Sequence, residues 1–127
     1  MSKEIKMSIN DIIVTETDAK GVITFANEDF CKIAGYTRNE LLGKSHNIVR
    51  HADMPKVAFA DLWKTIQSGK LWKGIVKNKT KNGDFYWVNA TAYPIKKTNG
   101  ELRYISVRIK PTDKEVQEAS KLYETLK

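Results

Sequence analysis

Cysteine is nearly absent from this chain. One residue, Cys31, among 127 excludes an intramolecular disulfide and any multi-cysteine metal site, and makes a reducing, cytoplasmic compartment the expectation. Histidine is almost as scarce: only His46 and His51 occur, both inside one nine-residue stretch. Long apolar runs are missing as well. No segment approaches the roughly 20 apolar residues that cross a bilayer, and Met1 to Asn10 lack the apolar centre of a secretion signal. Membrane attachment would therefore have to come from sequence or partners outside this chain. Acidic residues are outnumbered, 15 against 22 Lys and Arg, for a formal charge of +7. That surplus is dispersed. Its densest run, Lys70, Lys73, Lys77, Lys79 and Lys81, reads as a solvated sheet edge more than as a binding patch, so no nucleic-acid partner is expected. At 127 residues and 41% hydrophobic content, the chain supports one core and has no room for a second domain.

The patterning of what remains divides the chain into a cap over 1–10, a core over 11–112 and a terminal helix over 113–127. Ile5 and Ile9 could place a short helix in the cap. Ile12 to Thr17 and Val22 to Phe25 are β-rich runs joined by Asp18-Ala19-Lys20-Gly21, a hairpin. Asn27 to Ala34 carries Phe30, Ile33 and Ala34 at helical spacing, with Asn27 as N-cap and Gly35 as stop. Cys31 sits in this helix and reads as a packing residue. Thr37-Arg38-Asn39-Glu40 matches a capping box before one helical turn that ends at Gly43. From Met54 to Ser68, Phe59, Leu62, Trp63 and Ile66 recur at i, i+3, i+4 and i+7 and draw one apolar stripe.

Leu71 to Thr80, Asp84 to Lys96 and Leu102 to Lys110 are strands connected by two Asn-Gly turns, in which both residues tolerate positive φ. They form an antiparallel meander. Period two places Trp72, Gly74, Val76 and Asn78 on one side of the first strand, with Lys73, Lys77 and Lys79 toward water. Asn78 is thus an amide on an apolar face, and something polar should meet it, whether backbone or ligand. The middle strand sets small residues, Val88, Ala90 and Ala92, on one face, which leaves either a close helix contact or a pocket. For the last strand, periodicity would bury Ile105, Val107 and Ile109, although Tyr104, Ser106 and Arg108 opposite them would suit a polar ligand. Thr112-Asp113-Lys114-Glu115 is a second capping box, opening a helix with Val116, Ala119, Tyr123 and Leu126 at heptad spacing.

The densest chemistry is Ser45-His46-Asn47-Ile48-Val49-Arg50-His51-Ala52-Asp53. Two histidines, an arginine and an aspartate stand together just before the long helix. Asp53 reads equally well as that helix's cap or as a ligand contact. No nucleophile, base and orienting group converge anywhere in the sequence, so an enzyme is not expected, and neither is a metal site.

The order of two strands, short helices, one longer helix, three strands and an exit helix resembles the PAS sensory domain. Phe25-Ala26-Asn27, Ala34-Gly35-Tyr36-Thr37, the run His46 to Lys56 and the run Trp72 to Asn78 are more narrowly similar to the flavin-binding PAS domain of bacterial aerotaxis receptors. The resemblance implies an α+β fold: a five-stranded antiparallel sheet with helices packed on one face and a C-terminal exit helix. It also implies FAD, in preference to FMN, as the cofactor of a redox or oxygen sensor for energy taxis, with contacts at Arg50, His51, Asp53, Trp72 and Asn78. His46, within the same stretch, and Arg108, on the polar face of the last strand, complete the candidate set. His46 stands where the similar light-oxygen-voltage photoreceptors carry their adduct-forming cysteine. Two alternatives stay open at this point. One is a haem gas sensor with His46 or His51 as axial ligand; the other is a cofactor-free module binding a protein through Trp87 and Tyr93. The implied partners are a signalling protein or downstream receptor domain, or a second copy docked through the sheet face or the exit helix.

Overall fold

Alternating inward and outward side chains build five strands, and glycine-containing turns fold them against one another. In the computed structural model, which describes residues 2–126, the strands are β1 (Ile13–Thr17), β2 (Ile23–Ala26), β3 (Trp72–Lys79), β4 (Phe85–Lys96) and β5 (Leu102–Ile109). They form one antiparallel sheet in the order β2-β1-β5-β4-β3. Between β2 and β3 come α1 (Glu28–Ala34), α2 (Arg38–Leu41), a 3-10 turn over His46–Val49 and α3 (Lys56–Gln67); α4 (Asp113–Leu126) closes the chain. Asn27 caps α1 by accepting the Phe30 N–H, and Gly35 ends it in the left-handed region. Thr37 and Glu40 complete a capping box on α2, as Thr112 and Glu115 do on α4.

The three hairpins share one loop geometry. In each, the first residue donates its N–H to the carbonyl of the fifth, and a glycine at the fourth position donates back to the first: Asp18 with Val22 and Gly21, Thr80 with Asp84 and Gly83, Lys97 with Glu101 and Gly100. Only the glycines take positive φ (85°, 89° and 86°). The Asn-Gly pairs therefore do not make two-residue turns with both residues at positive φ; they make three-residue loops in which Asn82 and Asn99 stay in the ordinary region.

Other sequence expectations need correction. The segment before β1 is extended, not helical: Ile5 donates to the Phe85 carbonyl at 2.7 Å and Glu4 bridges Phe85 in parallel. Met7 is buried there, while Ile9 lies in the turn closed by the Asp11 N–H on the Ser8 carbonyl and is 80% exposed. The long helix begins at Lys56 after Pro55, with no side-chain cap, so Asp53 is not its cap. Its carboxylate instead meets Lys77 Nζ at 2.8 Å. Lys77 accordingly does not point to water; its side chain is 16% exposed, held by Asp53 and by the rings of Phe85 and Trp87. In β5 the polar face is the buried one, with Tyr104 and Arg108 inside and Ile109 exposed. The Thr15 hydroxyl on β1 and the His46 ring in the 3-10 turn receive Arg108 there, which reverses what apolar periodicity alone favours.

The inner face of the sheet carries Thr15, Val76, Asn78, Val88, Ala90 and Ala92 against α1 and α3, and the core gathers on Phe30, Ile13, Ile23, Leu41 and Tyr86. On the outer face α4 lies near β3, where Asn89 Nδ2 donates to Glu115 and Tyr123 donates its hydroxyl to the Ile75 carbonyl at 2.5 Å.

Candidate cofactor cavity

Register explains where the cup is hollow. Ala90 pairs with Gly74 on one side and Arg108 on the other, while Ala92 pairs with Trp72 and Ser106. Two alanines mid-sheet therefore lie beside longer polar side chains, and α3 cannot fill the space above them. The result is a cavity of about 100 Å³. Its floor is Val76, Ala90 and Ala92; its roof is Phe59, Leu62, Trp63 and Ile66 from α3; its polar wall is Thr15, His46, Asn47, Arg50, Asn78, Ser106 and Arg108. Among the described residues, two guanidinium groups and no carboxylate line it.

Arg108 is 3% exposed and has no ion-pair partner among the described residues. Its Nε donates to Ser106 Oγ at 3.1 Å and its Nη2 to Thr15 Oγ1 at 2.8 Å and to His46 Nε2. Nη1 is buried with no hydrogen-bond partner. The Phe30 ring supports the group from below, with the guanidinium carbon 5.3 Å from its centroid, and stacks on His46 at 6.0 Å and 12°. Burial pushes Arg108 down to about 10, and burial followed by the Arg108 charge pushes His46 down to about 3, so His46 is a neutral acceptor. Tyr86 is fully buried beside them. Burial pushes its phenol up to about 12, and its hydroxyl makes no hydrogen bond of good geometry although the Asn78 amide adjoins it.

Arg50 follows the 3-10 turn, and its guanidinium lies over the Phe59 ring at 4.1 Å; its backbone bridges that of Asn78. The structure thus brings His46, Arg50, Asn78 and Arg108 to one cavity. His51, Asp53 and Trp72 lie outside its lining. His51 Nδ1 accepts the Asp53 N–H at 2.9 Å, and its ring meets Phe85 edge-on. Trp72 folds back along its own strand: a Cβ on Gly74 would stand 2.3 Å from the indole, whose Nε1 donates to Asp61. Sequence reasoning missed Thr15 in the lining, and Phe30 and Tyr86 as the buried rings that adjoin His46, Arg108 and Asn78. The available signal was Ile13-Thr15-Thr17, in which period two turns two hydroxyls inward beside a buried isoleucine.

A five-stranded antiparallel sheet with a polar-walled cavity between its inner face and a helix defines an α+β domain. The chain belongs to the PAS family: the family described as PAS fold matches residues 23–115. It is 47% identical to the aerotaxis receptor of Escherichia coli (strain K12) over 90% of this chain and 22% of that protein. It is 28% identical to the nitrogen fixation regulatory protein of Klebsiella pneumoniae over 73% of this chain and 19% of that protein. The chain therefore spans about a fifth of these relatives. The dark structure of the blue-light photoreceptor Aureochrome1 LOV superposes with a TM-score of 0.73 over 91% of this chain and 85% of that one, at 17% identity.

Proposed function

We propose that this chain is a flavin-binding sensor domain that reads redox or energy state for taxis signalling and transmits it by conformational change, without turnover. The observation that carries the reading is the cavity wall: Arg50, Arg108 and Asn78 present donors over an apolar floor with no carboxylate among them. A flat heterocycle with a polar edge has this complementarity, and Arg108 Nη1 is a buried donor with no hydrogen-bond partner among the described residues. The relative named aerotaxis receptor points the same way. A bound flavin would supply reversible electron uptake. The protein's part is to hold the polar edge through Asn78, Arg50 and Arg108, to keep water out with Phe59, Leu62 and Trp63, and to keep His46 neutral. The cavity of about 100 Å³ is smaller than the roughly 300–1,000 Å³ of drug-sized sites, so uptake requires its walls to move outward.

FAD is the proposed form, and His51, Asp53 and Trp72, outside the lining, are the proposed contacts of the part of the molecule that projects from the cavity. Haem finds less support, since His46 Nε2 is already engaged by Thr15 and Arg108. We place the domain in the cytoplasm, passing its signal to a downstream receptor domain. Among the described residues no helix is long and apolar enough to cross a membrane. Protein purified without added cofactor is expected to be yellow and to release FAD on denaturation, read by chromatography. Release of FMN alone would overturn the choice of FAD, and no uptake after reconstitution would overturn the reading.

Cys31 lies on α1, away from the cavity lining, so no thiol faces the proposed ring. Blue light is expected to give no thermally reversing flavin–thiol adduct, and bleaching only when an electron donor is added. An adduct spectrum that decays in the dark without a reductant would contradict this placement.

A further inference from the structure

The hydroxyl of Thr15 lies fully buried at the meeting point of the two basic side chains on the cavity wall. It accepts from Arg108 Nη2 at 2.8 Å and lies 3.1 Å from His46 Nε2. A guanidinium has only donors, so the His46 nitrogen that faces it must accept, and the ring proton must sit on Nδ1. The Thr15 proton then faces the same Nε2, whose one lone pair Thr15 and Arg108 share. The chain of bonds runs from Arg108 to Thr15 to His46, with Arg108 also reaching His46 directly.

The sheet makes this arrangement possible. Thr15 pairs with Ser106, and Ile13 with Arg108, so Thr15, Ser106 and Arg108 share one inward face at neighbouring positions. Ser106 takes Nε, and Thr15 with His46 takes Nη2. Three acceptors on one side of a planar fork leave Nη1 as the corner still carrying unsatisfied donors, and no carboxylate competes for it. We propose that Thr15 is a positioning residue of the cavity, fixing the guanidinium plane of Arg108 in the cavity wall.

This deepens the flavin reading and rests on it for its consequence, though not for its geometry. A fixed cation beside an electron-accepting ring favours the electron-rich form. Loss of the anchor therefore lowers the midpoint potential. A residue that merely filled space would leave the potential unchanged when replaced by an isosteric side chain.

The test uses this chain with Thr15→Val, which keeps the shape and removes the hydroxyl, and Thr15→Ser, which keeps the hydroxyl. In protein without flavin, the wild type and Thr15→Ser are expected to show slowly exchanging, resolved Arg108 guanidinium 15N–H signals, and Thr15→Val averaged ones. Equally restricted signals in Thr15→Val would overturn the positioning role. In flavin-loaded protein the midpoint potential is expected to fall in Thr15→Val and return in Thr15→Ser; an unshifted potential in Thr15→Val would overturn the effect on the cofactor. Because the first measurement needs no flavin, a wild type that refuses flavin yet shows the loss of restriction in Thr15→Val sinks the cofactor reading and upholds the anchor.

Discussion

Phe30→Ala is expected to lower the stability of this domain by about 3–5 kcal/mol, the range for removing a fully enclosed phenylalanine ring. The side chain is 0% exposed and is the second largest of the fully buried groups, after Tyr86. It touches the core on one side, and on the other it supports His46 and the Arg108 guanidinium. Truncation leaves a void that α1 cannot close, since the helix is fixed at both ends by Asn27 and Gly35. Against a total of roughly 5–15 kcal/mol for a domain, that is a large fraction. The melting temperature should drop by roughly 10 °C or more. Thermal and urea melts of the two proteins measure it, with Phe25→Ala as the comparison because Phe25 is 48% exposed. A loss below about 1 kcal/mol would show that α1 relaxes into the space after all.

Arg50→Ala and Asn78→Ala should each weaken flavin binding by roughly 5- to 150-fold, the equivalent of 1–3 kcal/mol for a lost charge-assisted or buried hydrogen bond. The fold should survive both. Arg50 sits half-buried at the rim, and Asn78 contributes its backbone to the bridge with Arg50 whatever its side chain. Fluorescence titration of cofactor-free protein gives the affinities. Cys31→Ala, away from the cavity, should leave them unchanged. Wild-type affinity in both cavity variants would remove these two residues from the site.

Much of this was legible in the residues, for identifiable reasons. Capping boxes at Thr37 and Thr112 and the cap at Asn27 are local signals, settled by side chains three residues from their partners, and all three formed. Strand faces followed wherever one face was plainly apolar, as in β4 with Val88, Ala90 and Ala92. Period two misassigned β5, because the energy that decides its face comes from Thr15 and His46, 93 and 62 positions away in sequence from Arg108. Lys77 was misread for a related reason. A lysine on an outward strand position looks solvated until Asp53, Phe85 and Trp87 close around it. Both errors are of one physical kind: charged side chains whose partners are distant along the chain. Trp72 shows a different limit, since its direction is set by the missing side chain of Gly74, two residues on.

The bond from Tyr123 to the Ile75 carbonyl bears on how this protein avoids its own kind. β3 is the last strand of the sheet, and an open margin of that sort offers carbonyls and N–H groups to any passing strand. Tyr123 occupies one of those carbonyls, and Met54 Sδ accepts the Lys77 N–H two residues further on. The exit helix thus acts as a guard along the margin. Any state that lifts α4 from the sheet uncovers a template for strand pairing, so resistance to aggregation rests on the same few contacts that seat the helix.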